Sequence, residues 1–447
     1  MSIRGSDIRE RIERVLNETV AQASSHEFIA CYYSGEVSDF CRINNSLVRQ
    51  AGTVEQHYLD IRIFRGSRSA TGQVTLSGSP EIDSPRVRAE VSELRSQLDH
   101  LPEDPFQFYA TEPKSSESLA TNALPSSHTI LSSILNKTRG HDFVGILASG
   151  GIYRAFANSA GQRNWFESYS FNLDWSVYAR SDKAAKSSYA GFSWDEAEFT
   201  RLLSQTIEQQ EVLRRPDVAI KPGKYRVFLS PQALGEVVGI LGWGGFGLKA
   251  LRTKNSTLLK LAQGEAQLHP SVNLSEVSTA GVTPDFDSFG FNKPRKVSLV
   301  DGGKYASSLV SARSAKEFGT APTGSSEWEA PVALEMGSGT LPSAEALARL
   351  GNGILVNNLW YLNYSDRVSC RITGMTRFAT FLVENGKVTQ PLGVMRFDDT
   401  IYNMLGTNLE ALTVEQSYML ENSTYSQRAI GFQRLPGALL KELSFTL

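Results

Sequence analysis

The sequence predicts an α+β fold, with a mixed α/β N-terminal domain followed by a mostly antiparallel, β-rich C-terminal domain. Helical periodicity alternates with strand-like stretches in the first half, whereas the second half has more glycine and more strand-like runs. In that second half Asn385-Gly386 predicts a β-hairpin, because a type I′ turn needs positive φ at both central residues. A chain of 447 residues is long for one domain. A proline-containing stretch separates the halves, so we predict domains at 1–215 and 216–447.

The predicted elements of the first half begin with a helix capped by Asp7. Its apolar residues recur at helical spacing on one face: Ile8, Ile12, Val15 and Leu16. Residues 56–78 predict a β-hairpin around a glycine-containing turn. Residues 85–102 predict an amphipathic helix that ends at Pro102, and residues 111–127, rich in serine and proline, predict a long surface connection.

The remaining elements of the first half are a second hairpin, a long strand and a helix. Residues 143–158 predict the hairpin, with its turn at Gly150-Gly151. The next run places apolar side chains on one face: Tyr169, Phe171, Leu173, Trp175 and Val177. We interpret this face as a sheet surface packed on helices rather than as a ligand-stacking surface, because burial with a period of two predicts it. Ser193, with Glu196 three residues later, predicts the start of the helix.

A strand that runs directly into a helix is predicted at residues 225–241. Ser230 is the expected N-cap of the helix and Pro231 its first residue. The glycine-rich stretch 242–247 (GWGGFG) follows a helix instead of a strand, so its amides are not arranged as a phosphate cradle. We interpret it as a flexible or closely packed loop that could act as a lid. Residues 343–353 predict a short helix stopped by glycine.

Composition and charge argue against several functional classes. The formal net charge is −2 and the Lys and Arg residues are scattered, so we expect neither a nucleic-acid partner nor an anionic membrane partner. No apolar stretch approaches the ~18 residues of a membrane span, and the charged N-terminus does not resemble a signal peptide. Three cysteines, Cys31, Cys41 and Cys370, are too few for a disulfide framework. We therefore expect a cytoplasmic protein.

Local motifs provide no recognisable catalytic machinery. No two of the six histidines lie within five residues, so the sequence has no helix-borne histidine pair for zinc, and it has neither a G-x-S-x-G elbow nor a P-loop. Cys370 has no histidine near it in sequence, and we interpret Cys31 and Cys41 as small buried hydrophobes. Three carboxylate pairs are interpreted as turn residues and caps: Asp285/Asp287, Glu327/Glu329 and Asp398/Asp399. We predict no catalytic residue and no metal ligand in this chain.

Three segments resemble the TldD/PmbA family in the kind and order of their motifs. Residues 40–72 contain an R-x-x-N segment that leads to a strand and an arginine–glycine turn. Residues 283–324 contain an aspartate- and glycine-containing turn, two strand-like runs and an alanine-containing helix. Residues 353–405 resemble the closing core of the family. The matching motifs of this last segment are Thr373-Gly374, residues 384–386 (ENG) and Pro391.

The resemblance also indicates which type of family member this is. TldD-type chains carry H-E-x-x-x-H on a central helix and a cysteine near the C-terminus as third zinc ligand, whereas TldE (PmbA)-type chains lack these ligands and join a TldD-type partner. Here the corresponding helix, residues 231–241, reads PQALGEVVGIL, and no cysteine follows Cys370. Gln232 and Glu236 share one helix face, but an amide and a carboxylate are poor substitutes for two imidazoles. The resemblance therefore implies a TldE-like chain.

What the resemblance implies is a non-catalytic subunit of a heteromeric zinc metallopeptidase that acts on short or unfolded peptides or on a peptide-like intermediate. We expect zinc in a TldD-like partner and no cofactor in this chain, which would close the reaction chamber and present a strand edge to the peptide. The residues predicted to contact substrate are Trp243, Phe246, Thr373, Gly374 and Arg377. Two alternatives remain open: a self-associating binding or scaffold protein without a peptidase partner, and an independent hydrolase that uses Cys370 or a carboxylate pair.

Overall fold

The structure is a computed structural model that describes residues 5–279, 281–424 and 426–446. The described residues form two β-sheets with flanking helices, and strand pairing is mostly antiparallel. The predicted α+β fold is therefore confirmed. Across these residues no helix is long and apolar enough to cross a membrane.

The N-terminal sheet has seven strands in the described residues. They are β1 (Phe28–Asn44), β2 (Leu47–Arg65), β3 (Arg68–Leu76), β4 (Ser116–Ser118), β5 (Phe143–Asn158), β6 (Arg163–Arg180) and β7 (Lys183–Gly191). The flanking helices are α1 (Gly5–Val20), α2 (Pro80–Gln97), α3 (Ser127–Thr138) and α4 (Glu196–Leu213). The strand order is β3-β2-β1-β5-β6, and both β4 and β7 pair with β6. All these pairs are antiparallel except β4 with β6.

The C-terminal sheet has eleven strands in the part of the chain that the structure describes. They are β8 (Gly223–Leu229), β9 (Leu274–Val277), β10 (Lys296–Asp301), β11 (Lys304–Tyr305), β12 (Ala333–Met336), β13 (Gly353–Asp366), β14 (Arg371–Glu384), β15 (Lys387–Pro391), β16 (Arg396–Thr400), β17 (Leu409–Leu420) and β18 (Phe432–Phe445). The order is β11-β10-β9-β12-β18-β16-β14-β13-β8, with β15 beside β14 and β17 beside β18. Because β8 pairs with both β13 and β18, the strands from β18 to β8 form a closed ring.

Short helices connect the strands of the C-terminal sheet. They are α5 (Pro231–Gly239), α6 (Leu248–Arg252), α7 (Leu259–Ala262), α8 (Ala312–Phe318) and α9 (Ala346–Leu350). Within the described residues, the 3₁₀ turns are Leu98–His100, Ile240–Gly242 and Ser343–Glu345, and a π-helical turn covers Asn403–Thr407.

The apolar faces predicted from sequence periodicity are buried. The four apolar residues of α1 pack with α2 against one part of the N-terminal sheet. The aromatic face of β6 lies against α4, where the rings of Trp175 and Phe199 are 5.9 Å apart. This face is therefore a packing surface, as the alternation predicted. In the C-terminal sheet the largest core includes the apolar side of α5, with Leu234 and Val237 fully buried.

The hairpin predicted to turn at Gly150-Gly151 is wrong, because β5 runs without a break through both glycines. Gly150 has φ of 152°, and a Cβ atom there would lie 2.2 Å from the carbonyl oxygen of Val37 on β1. The glycine therefore permits a close approach between two paired strands and not a turn.

Three helix starts also differ from the prediction. Asp7 lies inside α1, which includes Gly5, and α2 begins at Pro80 instead of near residue 85. The N-cap of α4 is Asp195 rather than Ser193, since its carboxylate accepts hydrogen bonds from two backbone N–H groups of the first turn, at 2.8 and 3.4 Å. Ser193 and Asp195 are both residue types that can cap a helix, and in the structure Asp195 is the one that does so.

The Asn385-Gly386 turn is confirmed, with φ of 50° and 75° at the two residues. Helix α4 ends at Leu213 and β8 begins at Gly223, so the two sheets are built from strands on either side of this connection. Contacts also cross between the halves, because Phe286 packs with aromatic residues of the N-terminal sheet. That residues 1–215 and 216–447 form separate domains stays a prediction.

Candidate functional site

Helix α5 forms where the sequence predicts it. Ser230 follows β8, and its hydroxyl oxygen accepts a hydrogen bond from the Ala233 N–H at 3.2 Å, so it is the N-cap. Pro231 occupies the first helical position, where a missing N–H costs nothing. The apolar side of the helix is buried, and Gln232 and Glu236 lie on the other side.

Two cavities lie beside α5. The first, which we call the Glu236 cavity, has a volume of about 490 Å³ and is bordered by Gln232, Gly235 and Glu236. The second, the Asn357 cavity, has a volume of about 740 Å³ and is bordered by Ser230 and Asn357 at the start of the helix. The two share the lining residues Lys186, Ser187, Ser188, Gln232 and Met419. Because of this overlap we treat them as one site, the α5 cleft, whose size suits a ligand.

One side of the α5 cleft is the free edge of β7. Residues 186–190 all border the Asn357 cavity. Since successive side chains of a strand point to opposite faces, a cavity that touches every residue of a strand lies at its edge. Among the described strands β7 pairs only with β6, so the N–H and C=O groups of its other edge have no strand partner.

Strand β17 borders the same cleft. Residues 416–419 line the Asn357 cavity, and residues 419–422 line the Glu236 cavity. Of the strands that the structure describes, only β18 pairs with β17. The cleft is thus bordered by the edges of two strands, one from each sheet, and by the polar side of α5. Such an arrangement can pair with an extended backbone of any sequence.

The Glu236 cavity carries excess negative charge. Its lining contains Asp174, Glu236 and Glu421 against one cation, Lys186. The Lys186 ammonium lies 3.4 Å from the carboxylate of Asp174, which also accepts a hydrogen bond from Asn422 at 2.6 Å. Solvent reaches Glu236, but the walls of the cleft desolvate its carboxylate and raise its pKa, an effect that Lys186 opposes. A cationic or hydrogen-bond-donating group is therefore favoured beside Glu236.

Two asparagine side chains beside the cleft have unpartnered polar atoms. The amide nitrogen of Asn357, a residue that is 9% exposed, has no hydrogen-bond partner, and neither has the amide oxygen of Asn358. Asn357 lines one cavity and Asn358 the other. Both atoms are closed to solvent, and buried polar groups without a partner are rare because each costs free energy.

The described residues contain no group of three or more His, Cys, Asp or Glu side chains placed to hold a metal ion. The cleft side of α5 presents an amide, a carboxylate and two glycines, Gly235 and Gly239. A Cβ atom at Gly235 would lie 2.6 Å from the Gln433 side chain, so glycine permits close packing there. That this chain has no metal and no catalytic residue stays a prediction.

The loop at residues 242–247 is closely packed at both ends. The Arg367 guanidinium donates to the Trp243 carbonyl oxygen at 2.9 Å. At the other end, Glu329 accepts from the backbone N–H groups of Lys249 and Ser311, both at 2.9 Å. Glu329 thus caps a short helix and holds the loop, which agrees with our interpretation of its carboxylate pair.

Of the five residues predicted to contact substrate, Trp243 lines the α5 cleft and is 56% exposed. Phe246 is fully buried in the C-terminal core. Thr373 donates from its hydroxyl to the Phe397 carbonyl oxygen at 2.9 Å, which holds it within the sheet.

Gly374 and Arg377 lie near the cleft without lining either cavity. A Cβ atom at Gly374 would lie 3.0 Å from Leu362, which lines the Glu236 cavity. The Arg377 guanidinium stacks on Trp360, 4.7 Å from the ring centre. Substrate contact by any of the five residues stays a prediction.

Sequence reasoning missed β7 and Asn357. The run KAAKSSYAG, residues 183–191, has small and polar residues without clear alternation, which is a weak signal of an edge strand. Nothing in the local sequence distinguishes Asn357 from a surface residue, because its burial comes from strands that are distant in the chain.

Cys370 is buried, and burial raises the pKa of its thiol to about 12. A thiol with this pKa is almost entirely neutral near pH 7, and the thiolate is the nucleophile. The geometry therefore disfavours a hydrolase that uses Cys370. Cys31 and Cys41 are buried as well, in agreement with their interpretation as small hydrophobes.

Residues 222–446 match the PmbA/TldA metallopeptidase C-terminal domain, and this chain belongs to the TldD/PmbA family. Within that family it is similar to TldE from Thermococcus kodakarensis, whose crystal structure gives a TM-score of 0.78 at 15% sequence identity. That comparison covers 98% of this chain and 100% of the other. No curated protein matches the chain.

Two further crystal structures share the fold. A candidate modulator of a DNA gyrase from Thermotoga maritima gives a TM-score of 0.73 at 13% identity, over 98% of this chain and 100% of that one. A candidate modulator of DNA gyrase from Bacteroides thetaiotaomicron gives 0.71 at 15% identity, over 98% of each chain. At these identities the likeness establishes the fold.

Proposed function

We propose that this chain is the non-catalytic, TldE-like subunit of a TldD/TldE-type zinc metallopeptidase. It binds part of an extended peptide in the α5 cleft and closes the reaction chamber of a TldD-like partner, which supplies the zinc and the catalytic groups. The substrates are short or unfolded peptides or a peptide-like intermediate, and the complex acts in the cytoplasm without contacting nucleic acid or membrane.

The unpaired edge of β7 is the observation that carries this proposal. Backbone pairing along a strand edge recognises an extended peptide whatever its sequence, which suits a peptidase of unfolded substrates. The position of α5 supports the non-catalytic role, because this helix borders the cleft with Gln232 and Glu236 where a TldD-type chain would carry imidazoles.

An exposed aromatic patch supports the existence of a partner. Trp360, Tyr361 and Val368 lie on the hairpin of β13 and β14 and are 46%, 75% and 74% exposed. The Trp243 carbonyl oxygen is bound by Arg367 near the turn of the same hairpin, and the rings of Trp360 and Tyr361 lie 5.4 Å apart further along it. Clustered exposed aromatics mark association surfaces, so we place the TldD-like subunit against this patch.

Co-expression with a TldD-like chain that contains H-E-x-x-x-H tests the proposal. We expect the two to purify together, and we expect cleavage of an unstructured peptide by the mixture but not by this chain alone. Metal analysis should find about one zinc per TldD-like chain and no stoichiometric zinc in this chain by itself. Peptide cleavage by this chain alone, or one tightly held zinc in it, would show that the assignment is wrong.

The scaffold alternative predicts a different result. A self-associating protein would form oligomers by itself and would not bind the TldD-like chain. Tyr361→Ser sharpens the distinction, because it should weaken binding to the partner by about tenfold or more if the patch is the interface. Leu119→Ser is a suitable control, since Leu119 is also exposed, at 57%, but lies in the N-terminal connection.

A further inference from the structure

The hairpin of β1 and β2 carries the R-x-x-N segment, and the fold accounts for only one of the two residues that define it. Asn45 forms the two-residue turn together with Ser46, and the two residues have φ of 50° and 57°. Asparagine tolerates this left-handed conformation better than most residues, so the turn accounts for Asn45. Arg42 lies on β1 and is exposed, and its guanidinium has no hydrogen-bond or ion-pair partner within the described residues. The fold therefore does not require an arginine at this position.

A β-bulge places a second arginine on the same face of the hairpin. Arg42 pairs with Gln50, but the next residue of β1 pairs with Val48, so Arg49 is an extra residue on β2. In a regular strand successive side chains alternate between the two faces, and Arg49 would point away from Arg42. The bulge redirects it, and both arginines line one cavity. The Arg49 guanidinium also has no partner in the part of the chain that the structure describes.

This cavity, which we call the Arg42 cavity, has a volume of about 300 Å³ and lies between the N-terminal sheet and Phe378 of β14. Among the described residues that line it are three cations, Arg42, Arg49 and Lys186, and one carboxylate, that of Asp174. The Asp174 carboxylate is already bound by Lys186 at 3.4 Å and by an asparagine side chain at 2.6 Å. Two positive charges therefore remain without a counter-charge. Because like charges repel each other, an anion is favoured in this cavity.

The Arg42 cavity adjoins the α5 cleft. Lys186 of β7 borders the Arg42 cavity and both cavities of the cleft, and Asp174 borders the Arg42 and Glu236 cavities. Positive charge is also concentrated at this boundary, because the charged groups of Lys186 and Arg377 lie 5.6 and 5.4 Å from the centre of the Phe378 ring. A peptide that follows the β7 edge passes Lys186, so one of its side chains can reach the two arginines.

We propose that the Arg42 cavity is a specificity subsite that binds the carboxylate of an aspartate or glutamate side chain in a peptide held along the β7 edge. The planar guanidinium group forms two parallel hydrogen bonds with a carboxylate, so a pair of arginines suits this ligand. The volume of about 300 Å³ is at the lower end for ligand sites and suits one side chain. The proposal rests on the proposed function and adds a substrate class, peptides with an acidic side chain.

Fluorescence anisotropy of labelled, unstructured decapeptides titrated with the full chain tests the proposal. The peptides are capped at both ends and differ only at one central residue, which is Glu, Gln or Lys, so terminal charges do not contribute. Backbone pairing with a strand edge leaves the register free, so a single Glu can move to the cavity. We expect the Glu peptide to bind about fivefold more tightly than the Gln peptide at low ionic strength, and the Lys peptide to bind most weakly. Added salt should reduce the preference, since both arginines are exposed.

Charge-changing variants locate the subsite. Arg42→Gln and Arg49→Gln should each reduce the preference for the Glu peptide by about twofold, and the two together should remove it. The double variant Arg42→Glu/Arg49→Glu should reverse the order, so that the Lys peptide binds most tightly. Arg86→Gln is the matched control, because Arg86 is also exposed but lies on α2, outside the three cavities, and it should leave the preference unchanged.

The outcomes separate this inference from the proposed function. Equal binding of the Glu and Gln peptides by the wild-type chain would overturn the subsite for an acidic side chain and leave peptide binding at the β7 edge intact. If none of the three peptides binds, the subsite and the peptide-binding role are both wrong. A double variant Arg42→Gln/Arg49→Gln that keeps the full preference would show that the carboxylate binds elsewhere, and the subsite would be wrong.

Discussion

Two polar regions of this chain differ in how their hydrogen bonds are completed. At the first, which we call the Arg428 site, a guanidinium from the connection between β17 and β18 is 6% exposed and inserted against the N-terminal sheet. It donates to the Ser38 hydroxyl, to the Gly150 carbonyl oxygen and to both oxygens of Ser170. At the second, the α5 cleft, the Asn357 amide nitrogen has no partner.

The difference shows which of the two regions joins the halves of the chain. At the Arg428 site, residues from the two halves of the chain satisfy each other's hydrogen-bonding groups, since the backbone N–H of Arg428 also donates to Glu36 at 3.3 Å. Burial lowers the pKa of Arg428 to about 10, which still leaves it charged near neutral pH. A charge enclosed in this way helps to join the two halves of the chain, whereas the unpartnered Asn357 nitrogen forms no hydrogen bond that would do so.

The largest expected effect is therefore at the Arg428 site. Arg428→Met removes a buried cation and leaves Glu36 and the Ser170 carbonyl oxygen without it, so we expect a loss of about 3 kcal/mol in the free energy of unfolding. Urea unfolding followed by circular dichroism measures this loss. A loss below about 1 kcal/mol would mean that the site adds little to the joining of the two halves.

Arg434→Met is the matched control for this prediction. Arg434 pairs with Glu335 at 3.0 Å, but both side chains are about one-third exposed. An ion pair of this kind contributes at most about 1 kcal/mol, so the control should unfold close to the wild type.

Asp287 is a buried carboxylate whose hydrogen bonds are only partly completed, and its contribution to stability should depend on pH. One carboxylate oxygen accepts from the N–H groups of Phe289 and Phe291 at 2.9 Å, and the other has no partner. Burial raises the pKa of Asp287 to about 6. Because this lies above the unfolded value of about 3.9, its contribution to stability is complete below about pH 4 and is lost as the pH rises through 6.

Asp287→Asn should remove this dependence, because an amide cannot ionise. The free energy of unfolding of the wild type, measured relative to the variant, should fall by about 2–3 kcal/mol between pH 4 and pH 7. Urea unfolding at several pH values checks it. The exposed Asp301→Asn is the control, and a wild-type difference from Asp287→Asn that does not change with pH would contradict the prediction.

How far the sequence predicts this structure depends on the range of the interactions. The buried face of α1, the cap at Ser230 and the Asn385-Gly386 turn follow from neighbouring residues, and all three are confirmed. The predicted turn at Gly150 is wrong because glycine is required there by the close approach of Val37, which lies more than a hundred residues away in the chain.

The candidate site was predicted less well for the same reason. The sequence places α5 and shows that its polar side carries no histidine. It does not show that β7 has a free edge, because that depends on which strands pair with it, and the pairing involves residues far apart in the chain. Of the predicted substrate contacts, Trp243 and Phe246 belong to the loop next to α5, and only Trp243 lines the cleft, because Phe246 is buried in the core.

The cleft itself should tolerate a change at Glu236. In the complex with a TldD-like chain, Glu236→Gln should change peptide turnover by less than about tenfold, because a residue that binds without acting as a base does not supply the ~10²–10⁴-fold of general acid–base catalysis. The same change at the glutamate of the partner's H-E-x-x-x-H motif should abolish turnover. Loss of all peptide turnover in Glu236→Gln, with the complex still assembled, would show that this chain takes part in catalysis.

The smallest effect is expected at Cys370, which belongs neither to the Arg428 site nor to the α5 cleft. The pKa of about 12 keeps its thiol neutral, so Cys370→Ser should leave turnover by the complex within about threefold of the wild type. Circular dichroism of the variant provides the folding control, since the side chain is buried. A loss of turnover by several orders of magnitude in a folded variant would support the hydrolase that uses Cys370 and would place the active site away from α5.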